Sequence, residues 1–135
     1  MKKRIFVDTN ILLDVLLERE GFYYDALKIW ANAELGKVEA YIAAISLNNI
    51  HYVMRRLKSE TTAMVAVKIL MQIFKVVSVD ADVLRLAVDF HDKDLEDDIQ
   101  LQCALKAKCT QLFTRNPNHY DNSLIAVVPP SAFIP

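Results

Sequence analysis

Oxygen-bearing side chains cluster at four points along this 135-residue chain, where predicted strands end or a predicted helix begins. In a parallel sheet the strand ends meet at one carboxyl edge, where ligands bind. Oxygen ligands gathered there suit Mg²⁺ or Mn²⁺, hard cations that retain waters and bridge to phosphate oxygens. Such an ion activates water and stabilises charge on a phosphodiester during hydrolysis. The residues are Asp8 after the first predicted strand, Ser46, Asn48 and Asn49 after the second, Asp92, Asp94, Glu96, Asp97 and Asp98 at a helix start, and Thr114, Arg115 and Asn116 after the fourth strand.

Asp8 lies between an apolar strand and an apolar helix. Residues 5–7 are β-branched or aromatic, which favours a buried strand. Asn10 is a good N-cap residue, and the apolar residues after it recur at helical spacing. Taken alone, Asp8 is better explained as a residue that helps to cap this helix. A functional role for it requires polar groups from other strand ends.

Strands and helices alternate along the rest of the chain. This alternation, without glycine-rich hairpin turns, predicts an α/β fold with a mostly parallel sheet and helices on both faces. The predicted helices cover residues 22–35, ended by Gly36, then 47–59, then 61–74 with Ser59 as the cap, then a segment opened by Asp80 or Asp82, and a last one through about Lys108. The later predicted strands cover residues 39–46, 75–79, 111–114 and 124–128.

Length and composition limit the classes of function. A chain of 135 residues predicts one domain over residues 1–135, and the 53% hydrophobic content suits a buried sheet covered by helices. With Gly21 and Gly36 alone, the chain can build neither a phosphate-binding glycine loop nor a dinucleotide fingerprint. No segment approaches the length needed to span a membrane, so we expect a cytoplasmic protein without a membrane partner.

Charge and cysteine content exclude further classes. The net charge of −1 lacks the basic excess that is typical of nucleic-acid-binding proteins, so RNA binding would need a local patch such as residues 2–4 or 55–58. Cys103 and Cys109 are expected to share one helix, where the helical rise separates them by about 9 Å. That separation is too long for a disulfide, and two cysteines without a nearby histidine pair make a poor zinc site.

The acidic run at residues 91–98 has two interpretations. Acids in the first turn of a helix complement its dipole and cap free N–H groups, which requires no further role. Helical spacing, however, puts Asp94 and Asp97 on a stripe that continues to apolar residues, whereas the stripe of Asp98 is polar. We therefore expect Asp94 and Asp97 to face inward and Asp98 to face solvent. Asp14, within the first helix, is expected to be structural.

Four stretches of the chain together resemble the motifs of the PIN domain, a small metal-dependent ribonuclease fold found in the toxins of bacterial VapBC toxin–antitoxin pairs. They are VDTNILLDVL, AAISLNNIHYVMRR, DLEDDIQLQCALKAKC and LFTRNPNHY, and they occur in the family's order over nearly the whole chain. The resemblance implies a three-layer α/β/α sandwich. It also implies that Asp8 is the leading metal ligand, that Asp97 takes the main acidic position with Asp94 in support, and that Asn116 lies at the metal site.

The chain departs from the family's pattern at several site positions. Asn49 stands where the second motif has a glutamate, and His119-Tyr120 stands where the family often has Asp-Phe. Asn116 is a neutral version of a position that is often acidic. What the resemblance implies is then one Mg²⁺ or Mn²⁺ held by Asp8 and Asp97, with Glu96 nearby and with the two asparagines orienting water or phosphate.

Two functions follow from the resemblance. The first is a metal-dependent endoribonuclease of the toxin type, attenuated by the exchange at Asn49, with RNA as substrate and an antitoxin as partner. The alternative is a catalytically inactive PIN-like module that binds RNA or protein, which Asn49 and His119 favour. In the first, Arg115 is the candidate for contacting phosphate. The other supporting or orienting residues are Asn10, Ser46, Asn49 and Thr114.

Two further possibilities are kept. A phosphatase or receiver domain with Asp8 as nucleophile ranks low, because no lysine lies near Thr114 or Val127. Self-association as a homodimer is expected, since the helices carry more apolar residues than a small core needs, and the alternative, which is favoured for these residues, is a buried role in the core. The apolar residues concerned lie around Tyr23, Trp30, Met64 and Met71.

Overall fold

A five-stranded parallel sheet forms the centre of the computed structural model, which describes residues 1–120 and 124–135. The strands are β1 (Arg4–Val7), β2 (Glu39–Ala43), β3 (Lys75–Val77), β4 (Gln111–Phe113) and β5 (Ala126–Val128). They are ordered β3-β2-β1-β4-β5, and each neighbouring pair is parallel. Phe6 of the central strand pairs with Tyr41 on one side and Leu112 on the other. The carboxyl ends of β1, β2 and β4 therefore lie side by side.

Helices cover both faces of the sheet. They are α1 (Thr9–Leu16), α2 (Tyr23–Glu34), α3 (Ala44–Leu57), α4 (Glu60–Ile73), α5 (Ala81–Asp89) and α6 (Leu95–Lys106), with short 3₁₀ turns at Pro117–His119 and Pro130–Ala132. Ile5 and Val7 pack in one hydrophobic core with α1 to α4, whereas Phe6 packs in a second core with α5 and α6. This alternation follows the two-residue period of a strand. The predicted three-layer α/β/α sandwich is confirmed.

The first strand passes into the first helix without a loop. The backbone N–H of Asp8 continues the ladder by donating to the carbonyl of Phe113 at 3.0 Å, and Asp8 is also the N-cap of α1. Its carboxylate accepts the N–H of Asn10 at 3.0 Å. The prediction that Asn10 is the N-cap is therefore wrong, because the helix begins at Thr9, whereas the interpretation of Asp8 as a capping residue is confirmed.

The second strand is shorter than predicted. β2 ends at Ala43 and α3 begins at Ala44, so Ser46 lies in the first turn of a helix and not at the end of a strand. The predicted strands at residues 75–79 and 124–128 are likewise reduced to β3 and β5. The caps predicted at Ser59 and Asp80 are confirmed, since each side chain accepts the backbone N–H three residues later.

The two cysteines do not share a helix. Cys103 lies in α6, but Cys109 follows Lys108, whose φ of 58° turns the chain towards β4. Both thiols are free and buried, and burial raises the pKa of Cys103 to about 11 and that of Cys109 to about 12. They are therefore inert core residues. Within the described part of the chain, no helix is long and apolar enough to cross a membrane.

Candidate active site

Asp8 is held at the centre of the carboxyl edge by three hydrogen bonds. Oδ1 accepts the backbone N–H of Asn10 at 3.0 Å. Oδ2 accepts the hydroxyl of Thr114 at 2.9 Å and lies 3.0 Å from the hydroxyl of Tyr120. Asp8 is only 4% exposed, so this carboxylate has a fixed orientation and little access to bulk water. One oxygen serves the helix cap, and the other faces the site.

Thr114 joins the edges of two neighbouring strands. It follows β4, which pairs directly with β1, and it is 2% exposed. Its hydroxyl donates to Asp8 and accepts the backbone N–H of Asn116 at 3.2 Å. Because the hydroxyl both donates and accepts a hydrogen bond, its orientation is fixed, and Thr114 is a rigid donor to the carboxylate.

Asp97 reaches the same point from the other side of the sheet. It lies in the first turn of α6, and its Oδ1 is 3.3 Å from the hydroxyl of Tyr120. The same hydroxyl contacts Asp8. The carboxylates of Asp8 and Asp97, which are far apart in the sequence, are therefore within reach of one shared oxygen atom.

The electrostatics of this acid pair are unfavourable without a cation. The pKa of Asp97 is raised from 3.8 to about 7, first by burial and then by the negative charges of Asp8 and Asp94. Burial and the negative charges of Asp8 and Asp97 raise the pKa of Tyr120 far above its ordinary range, so its hydroxyl stays protonated. A divalent cation would relieve the repulsion that raises the pKa of Asp97.

A network of hydrogen bonds between largely buried polar side chains surrounds the acid pair on its inner side. The backbone N–H of Thr9 donates to Oε1 of Gln100 at 3.1 Å, so the amide nitrogen of Gln100 faces the Tyr120 hydroxyl at 3.2 Å. The Thr9 hydroxyl lies 2.6 Å from that of Ser46 and donates to Glu96 at 3.1 Å. Gln100 is 1% exposed, and Ser46 is fully buried. This network links α1, α3 and α6 around the site.

The acids of α6 do not face as predicted. Asp94 is exposed and is the N-cap of α6, where it accepts the N–H of Asp97 at 3.1 Å. Asp98 is buried, 7% exposed, and its carboxylate contacts His91 and the backbone N–H of Asp92. The expectation that Asp94 faces inward and Asp98 faces solvent is wrong, because the helix begins at Leu95 and the polar stripe of Asp98 is covered by the segment before it.

Arg115 is engaged with a buried acid. Its Nε lies 3.2 Å from Oδ2 of Asp14, at ion-pair distance although without the geometry of a hydrogen bond, and its guanidinium stacks 4.2 Å from the ring centroid of Phe22. Asp14 is fully buried and also pairs with Arg19 at 3.3 Å. Burial raises the pKa of Asp14, and the two arginines oppose that rise. Asp14 is structural, as expected, and Arg115 is primarily its counter-ion.

The side chains of three asparagines of the predicted site are not held by hydrogen bonds to residues that the structure describes, as those of Asp8 and Thr114 are. Asn10 and Asn116 contribute backbone N–H groups to Asp8 and Thr114, and both residues are exposed. Asn49 is half-buried and lies one helical turn beyond Ser46 on the same side of α3. It stands at the position where the sequence motif has a glutamate.

The donor set fits a cation of the magnesium type. Within residues 1–120 and 124–135, no group of three or more His, Cys, Asp or Glu side chains is arranged to hold a metal ion. Mg²⁺, however, usually keeps several waters and binds through one or two carboxylates together with substrate phosphates. Asp8 and Asp97, which lie at one hydroxyl, match that mode.

Comparison with known proteins identifies the family. The family model for the PIN domain matches residues 4–118. The chain belongs to the PIN domain family. No curated protein matches the PIN chain significantly.

Solved structures share the PIN fold over most of the chain. The DNA-bound VapBC complex from Salmonella typhimurium is similar with a TM-score of 0.73 and 13% identity, over 96% of this chain and 99% of that one. A toxin–antitoxin complex from Klebsiella pneumoniae gives 0.69 and 21% identity, over 93% and 97%. VapC20 from Mycobacterium tuberculosis, a toxin that cleaves the sarcin-ricin loop, gives 0.66 and 19%, over 80% and 86%. At these identities the likeness shows the fold alone.

Gln100 and Tyr120 of this PIN site have no role that the sequence predicts. Gln100 lies within the stretch DLEDDIQLQCALKAKC, and Tyr120 ends the stretch LFTRNPNHY, where it counts only as a departure from the family's pattern. Tyr120 could have been singled out, because a tyrosine close to a strand end buries its ring and leaves its hydroxyl to find a partner. Nothing in the sequence marks Gln100.

Proposed function

We propose that this PIN domain is a metal-dependent endoribonuclease of the VapC toxin type. The observation that carries the proposal is the convergence of Asp8 and Asp97 on one hydroxyl at the carboxyl edge of the sheet. A buried and a half-buried carboxylate held close together without a counter-ion are costly to the fold, which favours a site that is kept for binding a cation. RNA is the proposed substrate, Mg²⁺ or Mn²⁺ the proposed cofactor and the cytoplasm the proposed location.

Each side chain of the site has a definite task in this proposal. Asp8 and Asp97 would hold the ion, which would supply an activated water and neutralise charge on the phosphodiester. Thr114 keeps Asp8 in one rotamer, and the network behind Ser46 keeps the first turn of α6 in place. Asp94 supports Asp97 through the helix cap. Asn49 and Asn116 are then left to orient water or phosphate.

The experiment is cleavage of a labelled RNA by the purified chain with Mg²⁺, with Mn²⁺ and with chelator. Activity is expected only with the metal, and Asp8→Asn and Asp97→Asn should each lower it at least about a hundredfold, because each removes half of the charged donor set. Asp89→Asn, which changes an exposed acid at the end of α5, is the matched control and should cleave like the wild type. Equal cleavage by Asp8→Asn and the wild type would exclude this site as its source.

A second function is favoured by two observations. Tyr120 brings a neutral hydroxyl into contact with both acids, and Asn49 stands where the sequence motif has a glutamate. Both features suit a PIN-like module that binds RNA or protein without cleaving it. Calorimetric titration with Mn²⁺ separates the two functions. Saturable binding that is lost in Asp8→Asn supports the nuclease, and the absence of binding at millimolar Mn²⁺ supports the module.

Partners are proposed on the same basis. An antitoxin is the natural partner of a VapC-type toxin, and the exposed apolar side chains of α4 and α5 would suit a protein partner or a second copy. Trp30 does not contribute to such a surface, because it is 8% exposed and packs edge-on against Phe74. The exposed residues are Met64, Val65, Ile69, Met71, Leu84, Leu86, Val88 and Phe90. Light scattering of the purified chain tests for a homodimer.

A further inference from the structure

We propose that the Tyr120 hydroxyl and a cation bridging Asp8 and Asp97 are mutually exclusive, so that metal binding displaces Tyr120. The inference rests on the proposed metal site and goes further by naming the group that an incoming ion must move. It follows from how the hydrogen-bonding capacity of each atom is used.

The capacity of Asp8 for further ligands is limited. Oδ2 accepts from Thr114 at 2.9 Å and is 3.0 Å from Tyr120, so both of its lone pairs are occupied. Oδ1 already accepts the N–H of Asn10. An ion that binds Oδ2 must therefore take the place of one of its two hydroxyl donors. Of these two donors, only Tyr120 also lies at Asp97, so it is the donor that an ion held by both carboxylates would replace.

The direction of the Tyr120 hydroxyl is set by Gln100. The backbone N–H of Thr9 can only donate, so it fixes Oε1 of Gln100 towards itself and turns Nε2 towards the phenol oxygen. The phenol oxygen then accepts from Gln100, and its single proton points at the acid pair. Tyr120 is therefore held as a hydrogen-bond donor to the two carboxylates, at the position where a cation would neutralise them.

The position of this oxygen is what makes the two states exclusive. It lies 3.0 Å from Oδ2 of Asp8 and 3.3 Å from Oδ1 of Asp97, within contact distance of both carboxylates that would hold the ion. A neutral phenol is also a poor substitute for the waters that Mg²⁺ and Mn²⁺ prefer to keep. Tyr120 borders a cavity of about 70 Å³ that is shared with Asp98 and Leu101, so its ring is not closely packed on every side.

The test is calorimetric titration of the full chain and of Tyr120→Phe with Mn²⁺. The variant keeps the ring and removes the competing hydroxyl. Its dissociation constant is expected to be about tenfold lower than that of the wild type, because no hydrogen bond to a carboxylate has to be broken. Tyr52→Phe, an exposed tyrosine on α3, is the matched control and should bind like the wild type. Adding Asp8→Asn to Tyr120→Phe should abolish binding, which assigns the signal to this site.

A second readout does not depend on the folding of the variant. Titration of the wild type with Mg²⁺, followed by the near-ultraviolet difference absorption of tyrosine, should show a saturable change as a buried phenol moves towards water. An equal or weaker affinity in Tyr120→Phe, or saturation of the wild type without a tyrosine signal, overturns the inference and leaves the metal site standing. If neither protein binds Mn²⁺, the proposed metal site fails, and this inference fails with it.

Discussion

The Thr114 hydroxyl donates to Oδ2 of Asp8 at 2.9 Å and thereby couples the ends of β4 and β1. This contact is buried at both residues, and it determines which way the Asp8 carboxylate faces. Hydrogen bonds to the ligands of a metal are often nearly as important as the ligands themselves. The geometry of the site therefore depends on a residue that need not contact the proposed ion or substrate.

Thr114→Val should lower the affinity for Mn²⁺ by about tenfold and stability by about 1–2 kcal/mol, because Asp8 loses a donor and the N–H of Asn116 loses an acceptor. Calorimetry and urea denaturation measure the two effects. Thr110→Val makes the same change at the other end of β4, where the hydroxyl donates to the carbonyl of Arg4 on the exposed side. This control should leave the Mn²⁺ affinity unchanged, and an equal loss of affinity in both variants would contradict the assigned role of Thr114.

The acid pair should make the metal-free protein less stable as the pH rises. The pKa of Asp97 is about 7 in the folded state against 3.8 as its ordinary value, so between these values the folded chain binds more protons than the unfolded chain. The free energy of unfolding therefore falls as the pH rises through this window. Asp97→Asn should flatten that dependence in the presence of chelator, as measured by denaturation at a series of pH values. Asp89→Asn should retain the slope of the wild type; equal slopes in wild type and Asp97→Asn would show that Asp97 is not responsible.

Asn49→Glu should increase both the affinity for Mn²⁺ and the rate of RNA cleavage by about tenfold, because it adds a carboxylate one helical turn beyond Ser46. Asn48→Glu is the matched control, since Asn48 is adjacent but exposed. It adds the same charge to the chain and should leave both quantities nearly unchanged. If the two variants behave alike, the gain reflects net charge and not a ligand position.

Arg115→Met should lower stability by about 2–3 kcal/mol, because it removes a counter-ion from Asp14, which is fully buried. The loss is less than that for a wholly unpaired acid, since Arg19 remains. Arg85→Met removes the partner of Asp82 in an exposed pair and should cost less than about 1 kcal/mol. Urea denaturation of both variants measures the difference. Similar losses in the free energy of unfolding would show that the pair with Asp14 contributes no more than an exposed ion pair.

The layered fold follows from patterns that are local in the sequence. The apolar stretch from Ile5 to Val7 is followed by helical spacing, and similar transitions recur along the chain, so a parallel α/β fold was predictable. The exact ends of the strands and helices were less predictable than the fold. Asn10 is a reasonable cap by residue type, but Asp8 serves as the cap because the strand passes directly into the helix. Residue type alone allows either Asp8 or Asn10 to cap this helix, and the direct passage of β1 into α1 decides in favour of Asp8.

The details of the site depend on contacts between distant segments. Helical periodicity could not assign faces to Asp94 and Asp98, because the facing of a first turn depends on which residue is the cap and on what covers it. Gln100 and Tyr120 meet only when α6 packs beside the end of β4. Their pairing is set by tertiary structure, so neither residue type nor spacing predicts it.

One oxygen of Asp8 caps α1 and the other faces the site, and this has a practical consequence for the choice of mutations in this protein. Exchange for alanine would remove the helix cap together with the charge, so any loss of activity would be confounded with misfolding. Exchange for asparagine leaves an amide oxygen able to accept the N–H of Asn10 while removing the negative charge. An inert form that still folds, and that still presents its surfaces to a partner, is thus one isosteric substitution away.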